Sequence, residues 1–336
     1  MYNLAFILYG VSKDHWDMED HHVTLCLYLE PTTLAFDCCI GSCSSYTILL
    51  NHLLTVLDEI ADVINKLTEG CELDGKKINI IIYADDIVVL GPTKWAIKKI
   101  MEVLTKKLEE KGLEVNMEKT VALEFNKVNK EIENDTIKIA GKEINWVSKV
   151  KYLGVILQSD LKWEKELKAI VNKMNKMGNM ILQQVGKVVE QRDRVYLLNC
   201  CALDLYGLEF CDGISKKLFE NAGKSYHWLI KRSIGENKFF GNHAACAESG
   251  LLTWNLMDVW KKNILWEKIC GSENDILLLL FGDKKWETKL GKMIHDSVIE
   301  FGKNARNVKE MKENMKLVIE ATAVLKEMER QEELDG

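Results

Sequence analysis

One tetrapeptide limits the fold of this chain more than any other feature. Tyr83-Ala84-Asp85-Asp86 stands between two short apolar runs, residues 77–82 and 87–90, and Gly91-Pro92 closes the second run. Both runs are rich in β-branched residues, which favour strands. Two strand patterns separated by a polar pair predict a β-hairpin. The predicted turn is unusual because it contains two adjacent carboxylates and no glycine.

Two carboxylates at a hairpin turn make physical sense when a cation lies beside them. Mg²⁺ takes hard oxygen ligands, often one or two carboxylates together with substrate phosphates. Two such ions can stabilise the attacking and leaving oxygens of a phosphoryl transfer. An ordinary exposed turn is the simpler interpretation of Asp85-Asp86 alone. The flanking strand patterns and the complete tetrapeptide favour the cation site.

The composition is that of a globular chain long enough for two domains. Of its 336 residues 47% are hydrophobic and 29% are charged, and only two are prolines. No run approaches the roughly 20 apolar residues of a transmembrane helix. The ten cysteines are irregularly spaced, as is usual in a reducing compartment. We therefore expect an intracellular protein, in the cytoplasm or the nucleus, with no membrane partner.

The charge is distributed unevenly along the chain, whose net charge is −6. Residues 1–70 hold 2 basic and 10 acidic side chains, a net of −8, whereas residues 161–240 hold 14 and 9, a net of +5. The basic excess fits a surface that faces phosphates, although solvated helix faces have similar compositions.

Hydrophobic periodicity divides the chain near residues 158–162. Before that point two helical patterns alternate with strand patterns, which predicts an α+β fold with a helix pair on one face of an antiparallel sheet. The carboxylates are then expected on the opposite, open face. Thr93 is the predicted N-cap of the second helix, and Gly112 its end. Residues 1–45 show no clean period. The helical patterns cover 46–67 and 93–112, and the later strand patterns cover 120–125, 137–139, 144–147 and 149–157.

Beyond that boundary the chain has the periodicity of helices separated by glycines, so we expect a mainly helical module. The predicted helices cover 161–185, 191–208, 215–234, 253–270 and 304–329.

Four motifs in a fixed order make the chain resemble the reverse transcriptases, and in particular those of non-LTR (LINE-type) retrotransposons. The resemblance covers roughly residues 48–270 and is specific because the motifs occur together. The motifs are Tyr83-Ala84-Asp85-Asp86, Gly112 to Thr120, Lys151-Tyr152-Leu153-Gly154-Val155 and Leu205-Tyr206-Gly207-Leu208-Glu209, followed by Arg232 to Gly235, Glu248 to Leu251 and Leu265-Trp266.

The resemblance implies four segments. Residues 1–45 are a degenerate N-terminal segment, residues 46–158 a partial palm, residues 159–270 the helical thumb and downstream region, and residues 271–336 a helical extension. The fold class that it implies is a partial palm, an antiparallel sheet with helices on one face, followed by a mainly helical module.

The resemblance also assigns roles to particular residues. Asp85 and Asp86 would hold Mg²⁺, and Lys119 would neutralise or protonate the leaving pyrophosphate, with a surface lysine as the equal alternative. Tyr83 would line the nucleotide pocket. The implied partners are an RNA template, a DNA primer and a dNTP. The implied primer grip is Tyr152, Leu153 and Gly154.

The upstream sequence departs from the family pattern. Counting back from Asp37 places the expected third carboxylate at Pro31, and Glu30 beside it is expected on the wrong strand face because neighbours alternate. The pocket motif around Cys43 lacks its Gln-Gly and Ser-Pro, and the basic fingers have no counterpart in the acidic first 30 residues. We therefore expect an RNA-directed DNA polymerase fragment with impaired or no catalysis. A non-enzymatic nucleic-acid-binding remnant and an unrelated α+β protein are the alternatives.

Overall fold

The computed structural model describes the backbone of residues 22–30 and, with side chains, residues 55–73, 76–84, 86–125, 137–139, 141–185, 188–272, 313–322 and 324, except for the side chains of Leu73 and Cys270. It consists of helices and small antiparallel sheets, so the α+β class is confirmed. The chain forms two compact units, Met1–Lys162 and Trp163–Gly336, called unit 1 and unit 2 below.

A five-stranded antiparallel sheet is the centre of unit 1. Its order is β4-β5-β1, and both β6 and β7 pair with the other edge of β1. The central strand therefore comes from residues 1–45, where our sequence analysis found no clean period. The strands of unit 1 are β1 (His22–Glu30), β2 (Cys71–Leu73), β3 (Lys76–Ile78), β4 (Ile80–Tyr83), β5 (Asp86–Gly91), β6 (Glu114–Val115), β7 (Val121–Phe125), β8 (Ile137–Ile139), β9 (Lys142–Ile144), β10 (Lys149–Tyr152) and β11 (Val155–Gln158).

Two helical segments cover one face of this sheet. Residues 55–64 are helical (α1), and α2 spans Lys94–Glu110. Thr93 caps α2 as predicted, because its side chain accepts a hydrogen bond of 3.1 Å from the backbone N–H of Ala96. Gly112 follows the helix with φ +71°, the left-handed conformation that ends helices. The helical pattern over 46–67 is confirmed for 55–64, ends earlier than predicted, and lies outside the described residues before 55.

The core of unit 1 lies between these helices and the sheet. The side chains that meet there are fully or almost fully buried, which is the main source of stability for such a unit. They include Leu57, Ile60, Ile64, Ile80, Ile87, Val89, Ile97, Ile100 and Leu104.

The opposite face of the sheet is not open. Ile81, Val88 and Leu123 alternate with the residues that face the helices, and their exposed fractions are only 6%, 0% and 0%. Our expectation of an open face is therefore wrong along the middle of the sheet. It holds only near the end of the hairpin, where Tyr83 is 40% exposed.

Unit 2 is mainly helical, as its periodicity predicted. The predicted helix 191–208 ends at Cys201, because Leu205 and Gly207 take left-handed conformations and a 3₁₀ turn follows at Leu208–Phe210. A short helix between Gly241 and Gly250 was not predicted. The helices are α3 (Glu164–Gln184), α4 (Gln191–Cys201), α5 (Lys216–Ser233), α6 (Asn242–Ser249), α7 (Trp254–Cys270) and α8 (313–322).

The helices of unit 2 share one hydrophobic core. The buried hydroxyl of Tyr226 in α5 donates a hydrogen bond of 2.8 Å to the carbonyl oxygen of Leu252. Met315 and Ile319 of α8 are buried in the same core, so this part of the C-terminal region belongs to the unit. Within the described residues, no helix has the length and apolarity needed to cross a membrane.

Candidate active site

The hairpin predicted from the tetrapeptide is present. Tyr83 at the end of β4 pairs with Asp86 at the start of β5, so only Ala84 and Asp85 connect the two strands. Ala84 has φ 53°, a left-handed conformation that costs a residue with a Cβ about 1–2 kcal/mol. Asp85 lies outside the described residues. A strained backbone conformation like that of Ala84 persists where the surrounding structure fixes the turn, and such residues are common at functional sites.

Tyr83 and Asp86 share one face of the sheet because residues directly opposite in an antiparallel pair point the same way. Tyr83 is exposed, and Asp86 is half-buried. This face is the one opposite the helices, since Ile82 and Ile87 pack into the helix-side core. The structure therefore presents a tyrosine and a carboxylate together at the accessible end of the sheet.

The register of β1 changes the position expected for the third carboxylate. Tyr28 pairs directly with Asp86, and β1 ends two residues later at Glu30. Alternation puts positions 28 and 30 on the face of Asp86, with position 30 about 7 Å farther along the strand. The expectation that Glu30 lies on the wrong face is therefore wrong. Pro31 follows the last residue of the strand and lies outside the described residues.

Lys119 belongs to the loop between β6 and β7. Both strands pair with β1, at Glu30–Glu114 and at Cys26–Val121, so this loop passes the edge of β1 that faces away from β5. Since Asp86 flanks the same part of β1 from the other edge, the loop and the hairpin end lie at the same end of the sheet, on either side of β1.

Asn116 holds this loop in shape. Its side-chain oxygen accepts hydrogen bonds from the backbone N–H groups of Glu118, at 3.0 Å, and Lys119, at 3.1 Å. The Thr120 hydroxyl donates to the Asn116 carbonyl oxygen at 2.7 Å. The backbone of Lys119 is thus fixed while its side chain is exposed. A lysine held this way can reach an anion without ordering the loop first.

The predicted primer-grip motif forms a second hairpin, β10–β11. Tyr152 pairs with Val155, which leaves Leu153 and Gly154 as a two-residue turn with φ 46° and 87°. The Tyr152 side chain is buried, at 5% exposure, and anchors the hairpin instead of facing solvent. The tip is accessible at Gly154 and, in part, at Leu153.

The described residues include only part of the expected metal site. Carboxylate oxygens at positions 85 and 86, with position 30 on the face of Asp86, are the ligand chemistry that Mg²⁺ prefers. Across the ranges that the structure describes with side chains, no three His, Cys, Asp or Glu residues are grouped so as to hold a metal ion. Asp86 is the one described carboxylate at this site.

Residues 39–157 match the family model described as "Reverse transcriptase (RNA-dependent DNA polymerase)". This part of the chain is a reverse transcriptase domain fragment. The matched segment holds the β4–β5 hairpin, the Lys119 loop and nearly all of the β10–β11 hairpin, and it begins after β1. The match therefore supports the tetrapeptide as a motif of the family rather than an accidental acidic turn.

The Tyr-Gly motif of unit 2 is a buried structural corner. Gly207 has φ 94°, and its backbone N–H donates to the carboxylate of Glu209 at 3.1 Å. A Cβ at Gly207 would lie 2.6 Å from a carboxylate oxygen of Glu166. Burial raises the pKa of Glu209, with smaller opposing effects from hydrogen bonds and Lys261. The Tyr-Gly motif, which follows the reverse transcriptase domain fragment in the chain, thus packs α3 against the 3₁₀ turn.

Sequence reasoning missed the site's central strand. Val23, Leu25, Leu27 and Leu29 alternate with Thr24, Cys26, Tyr28 and Glu30, the period of a half-buried strand. That alternation could have located β1. It could not have supplied the pairing of Tyr28 with Asp86, because the two strands are separated by more than 50 residues.

Proposed function

We propose that unit 1 is the palm and unit 2 the thumb region of a LINE-type RNA-directed DNA polymerase whose catalysis is impaired. The observation that carries the proposal is the sheet order. It places β1 beside the β4–β5 hairpin and gives Glu30 the same face as Asp86. A polymerase palm needs carboxylates from two such neighbouring elements to bind a pair of metal ions.

Each residue of this end of the sheet has a role in the proposal. Asp85, Asp86 and Glu30 would hold Mg²⁺, which would supply the charge that activates a primer hydroxyl and stabilises a leaving pyrophosphate. Lys119 supplies a positive charge or a proton to that leaving group. Tyr83, exposed beside Asp86, packs against the incoming nucleotide.

The primer is held by the second hairpin. The turn at Leu153 and Gly154 is accessible, and the missing side chain at Gly154 lets a sugar-phosphate backbone approach closely. Tyr152 contributes by anchoring the hairpin from inside the unit. The substrates in this proposal are an RNA template, a DNA primer and a dNTP.

The impaired catalysis in this proposal follows from the third metal ligand, Glu30. A glutamate at position 30 carries one methylene more than the aspartate of the family motif, and Pro31, where the motif count expects that aspartate, has no ligand atom. A misplacement of about 1 Å can cost on the order of a hundredfold in rate. The net charge of −8 over residues 1–70 further opposes binding of a template and a triphosphate.

Metal binding tests the site without requiring catalysis. Mn²⁺ is titrated into the full chain and followed by electron paramagnetic resonance, with Asp86→Asn and Glu30→Gln as variants and Glu143→Gln as the control. Glu143 is an exposed carboxylate on β9 that pairs with Lys138 at 3.2 Å. We expect the two site variants to weaken Mn²⁺ binding by about tenfold or more, and the control to leave it unchanged. Equal affinities in all four proteins would refute the proposed site.

A second function, nucleic-acid binding without catalysis, is favoured by the lysine-rich helices of unit 2. Exposed positions of α3 and α5 carry seven lysines and one acid, Glu220. Salt-dependent binding of a primer–template duplex without nucleotide incorporation would distinguish this function from an active polymerase. An accidental Asp-Asp turn in an unrelated protein is not supported, because the family match includes the tetrapeptide.

A further inference from the structure

The helices α3 and α5 pack side by side and form one continuous surface. Gly178 of α3 touches Leu229 of α5 so closely that a Cβ on the glycine would lie 2.7 Å from a leucine methyl group. At the surface above this contact the Arg232 guanidinium donates a hydrogen bond to the Asn179 side-chain oxygen. We call this surface the α3–α5 face. It consists of Lys165, Lys168, Asn172, Lys176 and Asn179 of α3 and Lys217, Asn221, Lys224, Trp228 and Arg232 of α5.

Apart from Trp228, the α3–α5 face is basic and polar. Its α3 lysines recur at helical spacing on the solvent side, and the α5 residues do the same. The one exposed acid of the two helices, Glu220, is 3.9 Å from Lys216. Amides at Asn172, Asn179 and Asn221 lie among the cations and can donate to phosphate or base oxygens. Such a surface has the charge and hydrogen-bonding groups of a nucleic-acid site.

Trp228 gives the α3–α5 face a stacking group. Its indole is 43% exposed, although a tryptophan on a solvent-facing helix side gains nothing by facing water. The Arg232 guanidinium carbon lies 5.9 Å from the ring centroid, and Arg232 is in turn fixed by Asn179. An exposed ring next to a fixed cation is the arrangement on which unpaired bases stack while their phosphates meet positive charge.

We propose that the α3–α5 face binds a single-stranded segment of nucleic acid, with one unpaired base stacked on Trp228 and phosphates contacted by the surrounding lysines and Arg232. The preference for an unpaired strand follows from the indole, because a duplex offers no free base face along its sides. This inference rests on the proposed function in that nucleic acid is the ligand. It assigns that ligand to a surface of unit 2, whereas the hairpin carboxylates belong to unit 1.

Binding of short labelled strands tests the inference. Fluorescence anisotropy measures the affinity of the full chain for a 20-nucleotide oligo-uridine and for a blunt 20-base-pair duplex, both with EDTA and without dNTP. We expect Trp228→Ala to weaken binding of the single strand by roughly 5- to 100-fold, from the usual worth of one stacked base, and to change duplex binding little. Trp228→Phe, which keeps an aromatic face, is expected to retain most of the affinity.

The control is Trp95→Ala, which removes an indole that is 60% exposed on α2 of unit 1. Thermal melting of each variant shows that it is folded. Unchanged affinity in Trp228→Ala, an equal loss for single strand and duplex, or no binding of oligo-uridine by the unmodified chain would overturn the inference. Because metal is absent, failure of the metal site at the hairpin leaves this result unaffected, and the two proposals can fail separately.

The lysines give a second readout. Changing Lys168 and Lys176 together to Gln is expected to reduce the slope of log affinity against log salt by about 1.4 for the single strand, since each phosphate contact contributes about 0.7. The matched control changes Lys98 and Lys99, two exposed lysines on α2, and should leave the slope unchanged. A slope that does not change when Lys168 and Lys176 are replaced would mean that the single-stranded nucleic acid binds elsewhere, which would contradict the proposal.

Discussion

Tyr28 lies directly opposite Asp86 in the antiparallel pairing of β1 with β5. The same Asp86 is opposite Tyr83 across β5–β4, so one carboxylate is flanked by positions of two tyrosines on the same face. This register is the reason why Glu30, two positions beyond Tyr28, and not Pro31 is the third ligand in the proposed metal site.

Cross-linking checks this register. Residues directly opposite in an antiparallel pair have Cβ atoms about 4.5–5.5 Å apart, close to what a disulfide needs, whereas residues displaced along the strand are too far apart. We expect oxidised Tyr28→Cys/Asp86→Cys to contain an intramolecular disulfide, identified by peptide mass spectrometry. The control is Pro31→Cys/Asp86→Cys, which should not cross-link. A bond in the control and none in the first variant would show that the register derived from the family motif is correct.

The local parts of this fold could be predicted from sequence, and the long-range parts could not. The Thr93 cap, the Gly112 helix end and the β4–β5 hairpin depend on neighbouring residues, and all are present. The strand pattern over 149–157 is instead two strands joined by a turn at Leu153 and Gly154. The place of β1 in the sheet depends on pairing over more than 50 residues, which periodicity does not encode. The covered face around Val88 was missed for the same reason, because burial of a strand's second face depends on distant segments.

A buried amide joins the end of α1 to the start of the sheet. The fully buried Asn79 side chain donates hydrogen bonds to the carbonyl oxygens of Ile64 and Leu67 at 2.8 and 3.0 Å. A Cβ on Gly70 would fall 1.5 Å from the Asn79 side-chain oxygen. We therefore expect Asn79→Ala to lower the free energy of unfolding by about 1–3 kcal/mol, because two carbonyls lose their partner.

Gly70→Ala is expected to cost about 1–3 kcal/mol from overpacking. Its cost should be smaller in the Asn79→Ala background, where the clashing amide is gone. Urea denaturation of the two single variants and the double variant measures this coupling. Additive effects would mean that the alanine methyl group at position 70 and the Asn79 side chain are not in contact.

His227 makes the stability of unit 2 depend on pH. Burial, and secondarily the charge of Lys231, lower its pKa from 6.5 to about 4, and its ring accepts a hydrogen bond of 3.3 Å from the backbone N–H of Trp254. The unfolded chain therefore takes up a proton at a higher pH than the folded one. The stability from neutral His227 is complete above pH 6.5 and is lost as the pH falls towards 4.

We expect the difference in unfolding free energy between the unmodified chain and His227→Gln to shrink by about 3 kcal/mol between pH 7 and pH 4. Burial raises the pKa values of Glu209 and Asp258, which gives the stability an opposite dependence on pH. Both acids are present in both proteins, so their contributions cancel in the difference. Denaturation at a series of pH values measures it. A difference that stays constant with pH would show that His227 does not titrate abnormally.

In the turn of the β10–β11 hairpin, Leu153 has an unfavourable left-handed backbone conformation. Both turn residues have positive φ, which suits Asn-Gly better than Leu-Gly. Leu153→Asn is expected to stabilise the chain by about 0.5–1 kcal/mol, and Gly154→Ala to destabilise it by about 1 kcal/mol. Urea denaturation checks both. If Leu153→Asn also weakens binding of a primer–template duplex, the leucine contributes to contact with the duplex and not to stability. If Leu153→Asn destabilises the chain, the turn assignment is wrong.

Primer extension on a primed RNA template with Mg²⁺ measures directly whether the chain polymerises nucleotides. We expect the full chain to incorporate little or no dNTP, because the proposed third ligand, Glu30, is longer than an aspartate and Pro31 offers no ligand atom. The Asp85→Ala, Asp86→Ala double variant defines the background. Robust extension by the unmodified chain that this double variant abolishes would contradict impairment and establish a working RNA-directed DNA polymerase.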